Sequence, residues 1–156
     1  KSALEQMIGI SHNYAAVLLT QKVGADKIQE AMNNFGIKNT AIESQDRPKT
    51  TAGDLLVFFE KVYKRENISA YVSHQILELL LRQEINDRIP KYLPKEARVA
   101  HKTGEIDYQK HDAGIVFTPS GDYIIVVLSE TDNPDVASER IANLSKEVYE
   151  YFSKKN

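Results

Sequence analysis

In the first half of the chain, apolar positions recur every three to four residues. Leu4, Met7 and Ile8 share one face of a short helix, opened by Ser2-Ala-Leu-Glu5 in the form of a capping box. Tyr14 to Val23 repeats the pattern, with Val17 and Leu18 predicted to face inward. Asp26 to Phe35 follows, with Ile28 and Met32 one turn apart and Gly36 placed as its C-cap. Ile37 to Lys49 is polar and irregular. Thr51-Ala-Gly-Asp54 starts a further helix that carries Leu55, Phe59, Val62 and Tyr63. Ser69 to Gln83 is another, with Ile76, Leu77, Leu80 and Leu81 as its buried stripe.

The period then shortens. Pro90 and Pro94 break helix, and Arg98 to Thr103 has strand composition. Ala113 to Thr118 and Tyr123 to Ser129 are β-branched and aromatic runs joined by Pro-Ser-Gly-Asp, a hairpin turn signal. Asp-Asn-Pro-Asp opens a last helix with Pro134 in its first turn, and Ala137, Ile141, Leu144, Val148 and Phe152 give it one apolar face. The expected fold is α+β in one unit: a helical region over 1–96, then three antiparallel strands and a C-terminal helix over 97–156. Three strands with a helix on one face make a thin core and leave an unpaired edge, so the pattern calls for something that completes the sheet.

Composition narrows the classes. A length of 156 residues suits one domain with a real core, and a net charge of −2 gives no basic footprint for nucleic acid. Zero cysteines exclude disulfides, thiolate catalysis and Cys-ligated metal. No apolar run approaches the roughly 20 residues of a membrane span. Four histidines without paired ligand spacing argue against a zinc site, and no cofactor motif is present. The chain opens at Lys1 directly into a helical pattern, which suggests a piece of a longer protein.

Two short motifs carry chemistry. Ser11-His12-Asn13 lies between two helices, where Ser and Asn serve well as N-caps. Lys102-Thr103-Gly104 lies on a strand; an ammonium beside a hydroxyl can hold a carboxylate, and a Gly lets a ligand approach the main chain. Each alone reads as ordinary structure. Together, Ser-x-Asn at a helix head, an all-helical stretch and Lys-Thr-Gly on the first strand of a terminal hairpin resemble the class A β-lactamase and penicillin-binding-protein family. That family of serine hydrolases is marked by Ser-x-x-Lys, Ser-x-Asn and Lys-Thr-Gly. The segments SHNYAAVLL, VGADKI, FGIKNT, TTAGDLL, VAHKTG and HDAGIVFTPSGDYIIVVLSE are similar to family segments in family order, over nearly the whole chain.

The resemblance implies roles residue by residue. Ser11 would relay protons near the leaving group, and Asn13 would bind the substrate's side-chain amide. Lys102 would support Ser11 electrostatically and attract the substrate carboxylate, which Thr103 would bind. The backbone N–H of Glu105, just after Gly104, would be one oxyanion donor. The substrate would be a β-lactam or a D-Ala-D-Ala-type cell-wall peptide, and the parent protein would work outside the cytoplasm.

Two departures qualify the likeness. The family's nucleophile is the Ser of Ser-x-x-Lys, and no such tetrapeptide occurs; Ser44-Gln-Asp-Arg47 is nearest but follows Ser-x-Asn. The expectation is a C-terminal part whose nucleophile and completing strands lie upstream of Lys1, in cis or on a second chain, and which is inactive alone. The loop that would hold a deacylating Glu is short, and Glu43 lacks the Glu-x-x-Leu-Asn setting. A non-catalytic penicillin sensor or a degenerate binding module on the same fold is the alternative. His12 is expected to be solvated or to support a cap. His101 and Lys102 should face opposite sides of their strand. Glu105 to Asp112 should turn at the cleft rim, and Tyr71, Tyr108, Tyr149 and Tyr151 should pack.

Overall fold

The computed structural model describes residues 2–42 and 48–154. Its elements run α1 (Ala3–Gly9), α2 (Asn13–Val23), α3 (Ala25–Asn34), α4 (Ala52–Lys64), α5 (Ala70–Leu80), β1 (Arg98–Ile106), β2 (Gln109–Phe117), β3 (Tyr123–Glu130) and α6 (Pro134–Ser153). The expected α+β order holds. Side chains set the helix starts: Ser2 and Glu5 form the capping box, while Thr51, Ser69 and Asn133 each accept from the third backbone N–H onward.

The sheet is antiparallel in the order β1-β2-β3. The β1–β2 hairpin is tighter than the sequence suggested. Glu105 to Asp112 is mostly strand, and only Asp107 and Tyr108 turn, with Asp107 at φ 47°. At the β2–β3 turn, Thr118 Oγ1 donates to the Gly121 carbonyl at 2.8 Å, and Gly121 takes φ 133°, which a side chain would resist.

Alternation along the strands feeds two cores rather than one. Val99, Val116, Tyr123 and Ile125 pack with Ile89 against Ile141 of α6. Ala100, Ala113 and Ile115 pack on the opposite face against Phe59 of α4 and Leu80 of α5. The expectation of a helix on one face only is therefore corrected: α4 and α5 fold back over the second face, a long-range return that local periodicity does not encode. The open edge stands. Among the described residues no strand pairs with the outer side of β1 or β3.

Several inward assignments also change. Val17 (50%) and Leu18 (43%) on α2 are exposed, as is Leu144 on α6. Tyr71, Tyr108 and Tyr151 are exposed too, whereas Tyr149 packs beside the α6 core. The polar stretch after α3 is tied down by Asp54, whose carboxylate accepts from Asn39 N and Thr40 Oγ1, each at 2.7 Å.

Candidate active site

α1 ends at Gly9, and the chain turns sharply through Ser11, which adopts a left-handed φ of 55°. His12 then caps α2, its Nδ1 accepting from Ala15 N at 3.2 Å. Neither Ser11 nor Asn13 is the cap, so the cap reading of those two residues gives way to one for His12. The Ser11 hydroxyl is thereby spared from capping, on a residue whose backbone conformation most side chains avoid.

That hydroxyl meets β1. Lys102 Nζ donates to Ser11 Oγ at 2.6 Å and to the Thr103 carbonyl at 2.7 Å. The contact joins residues 91 positions apart, the two motifs the sequence singled out. Lys102 projects into an apolar cleft of about 420 Å³ between the sheet and the helices, lined among others by Ile8, Leu55, Phe59, Ile76 and Leu80. Loss of water around the ammonium pushes its pKa down to about 8; the Asp112 carboxylate opposes that shift, and the Arg88 guanidinium adds to it.

The remaining residues fall around this pair. Gly104 is covered across the hairpin by His111, and a Cβ there would sit 3.4 Å from His111 Cβ and Cδ2. A side chain at Gly104 would thus meet the His111 ring at close contact. Thr103 is buried, and Asn13 stands exposed at the first position of α2. The Glu105 side chain accepts from Arg88 Nη2 and Lys110 Nζ, each at 2.6 Å. Lys110 foremost, with Arg88 assisting, holds that carboxyl below its usual range against the cost of burial. Glu43 and Ser44 to Arg47 lie outside the described residues.

Arg88 is a buried charge that the sequence reading missed. It is 1% exposed, and its guanidinium reaches both Glu105 and the His111 carbonyl beside the cleft. A buried arginine breaks the usual inside–outside rule, and its one sequence signal is its place next to Asp87 in an otherwise loop-like Asn-Asp-Arg-Ile-Pro run. Among the described residues, no group of three His, Asp or Glu comes together to hold a metal ion. None of the helices there is long and apolar enough to cross a membrane.

A helical half and a hairpin thus meet at a hydroxyl–ammonium pair beside an apolar cleft. The chain belongs to the β-lactamase enzyme family, which it matches over residues 1–152. It is similar to PBP-A at 30% identity and TM-score 0.87, covering 97% of this chain and 60% of that one. It is also similar to the TLA-1 extended-spectrum β-lactamase at 25% identity and TM-score 0.87, covering 97% and 63%. A β-lactamase from Sphaerobacter thermophilus shares the fold at 20% identity and TM-score 0.90, with 96% of this chain and 62% of that one covered. A point variant of PBP-A has been solved as an acyl-enzyme with penicillin G. The chain spans roughly three-fifths of these proteins. No curated protein sequence matches it significantly.

Proposed function

We propose that this chain supplies one wall of a serine acyl-transfer site acting on β-lactams or D-Ala-D-Ala-type peptides outside the cytoplasm. The nucleophile comes from a further segment that fills the apolar cleft. The observation that carries this reading is the 2.6 Å contact between Lys102 Nζ and Ser11 Oγ at the edge of that cleft. Ser11 passes a proton toward the leaving nitrogen, and the Lys102 ammonium steadies the hydroxyl and draws in the substrate carboxylate. Thr103 binds that carboxylate, with Gly104 leaving room for the substrate to approach the main chain. Asn13 binds the substrate amide, and the Glu105 N–H serves as an oxyanion donor. Arg88 adds a second positive charge beside the cleft, held in place by Glu105.

Support for an occupant of the cleft is physical. Its lining is almost wholly apolar, and the neighbouring α2 exposes Tyr14, Val17 and Leu18. About two-fifths of each similar structure has no counterpart here, room enough for a helix that bears Ser-x-x-Lys and for strands along β3. Intact-mass measurement with a labelled penicillin tests the reading. The chain alone is expected to take no adduct. The chain combined with a segment carrying Ser-x-x-Lys is expected to take one label, on that serine, and Lys102→Ala should slow the labelling at least tenfold. Label on the chain alone, or none on a folded combination, would overturn the proposal.

A further inference from the structure

Directly behind Lys102, on the other face of β1, His101 is 1% exposed. Its Nδ1 lies 2.9 Å from Asp112 Oδ1 and 3.1 Å from Asp112 Oδ2. Its Nε2 lies 3.1 Å from Asn86 Oδ1. Asn86 donates its own Nδ2 to the Gln83 carbonyl at 3.4 Å, an arrangement that turns the amide oxygen toward the imidazole. Asp112 is fully buried, and its Oδ2 also accepts from Ile89 N at 3.0 Å. Both ring nitrogens therefore have a polar partner, and Asp112 and Asn86 together fix the plane and position of the ring.

The cluster connects the two halves of the site. Gln83 Nε2 donates to the Ile8 carbonyl at 2.8 Å, and Glu84 N donates to the Gly9 carbonyl at 2.8 Å. Residues 83–89 are therefore stitched at one end to the last turn of α1, just before Ser11. At the other end, Asn86 and Ile89 fasten them to His101 and Asp112, the former one position before Lys102. The other charged groups near Asp112 and Lys102 are Arg88, on the same loop, and Lys110 on β2; both carry their charge to Glu105.

We propose that His101, held between Asp112 and Asn86, is a positioning residue that uses residues 83–89 as a splint to set Ser11 against Lys102. This rests on reading Ser11 and Lys102 as the working pair, but the splint can be tested apart from any acylation. Asn86→Ala releases the loop from the ring at an exposed position and changes no charge. In a ¹⁵N-labelled sample of that variant, the Lys102 ammonium protons should exchange at least tenfold faster than in the native chain. Gln83→Ala, which cuts the other end of the splint from Ile8, should do the same. Ile141→Val, a core truncation against α6, should leave that exchange unchanged. Unaltered Lys102 exchange in either folded splint variant would overturn the proposal. Absence of a penicillin adduct would leave the exchange outcomes standing.

Discussion

Lys102 illustrates how one side chain can be costly to the fold and useful to the site. An ordinary lysine titrates near 10.4, whereas burial brings this one to about 8. Between those two values the unfolded chain binds more protons than the folded chain, so this residue makes stability rise as pH climbs from about 8 toward ~10.4. Below about 8 its destabilisation is fully present. Lys102→Met keeps the length, removes the charge and suits the apolar lining. At pH 7 it is expected to melt a few degrees higher, about 1 kcal/mol after allowing for solvent screening, and the gap should close toward pH 10.5. Calorimetry across that range checks it; a variant that melts lower at pH 7 would mean that the contacts to Ser11 and Thr103 outweigh the desolvation. The pairing of Ser11 with Lys102 was legible because hydroxyl and ammonium stood in motifs with a known order. The burial of Arg88 and the His101–Asp112 contact behind Lys102 were not. Both depend on cross-strand register, which single-residue propensity does not carry.

At the scale of elements, the hairpin that carries Lys102 depends on a missing side chain. Gly114 sits opposite His101, and a Cβ added there would lie 2.5 Å from the Ala100 carbonyl oxygen and 2.6 Å from His101 Cβ. Gly114→Ala should therefore push β1 and β2 apart and cost about 1–3 kcal/mol in urea unfolding. Gly53→Ala is the contrasting case. It lies within α4, where the nearest neighbour of a new Cβ is Thr51 Oγ1 at 3.9 Å, so it should stabilise by up to about 1 kcal/mol. Equal effects from the two would contradict the register. Helix and strand existence was readable from period and caps, since Ser2, Thr51 and Ser69 announce their helices locally. What faced what was less so: α2 has the inward pattern, yet Val17 and Leu18 meet solvent, because a periodic stripe states only that a partner surface is wanted.

The whole molecule shows the same want on a larger scale. Helices cover both faces of the sheet, but an apolar cleft remains between them, and both sheet edges are open among the described residues. The sequence signalled an open sheet edge through strand count and missed the second core, since the return of α4 and α5 is a matter of topology. The chain spans roughly three-fifths of the β-lactamase structures it resembles, and its hydroxyl–ammonium contact lies beside an uncovered apolar cleft.

The open edge of β3 reaches beyond catalysis. Tyr123 to Ser129 is a run of seven residues with no charge and no proline, rich in β-branched side chains, and it ends only at Glu130. Such a segment with unpaired main-chain groups is a template for its own copies. The isolated chain should therefore have a solubility ceiling, with thioflavin-positive aggregation growing with concentration, and Val127→Lys should raise that ceiling at some cost to the α6 core. Any cell that makes this chain would have to keep that strand covered faster than it finds another of its kind.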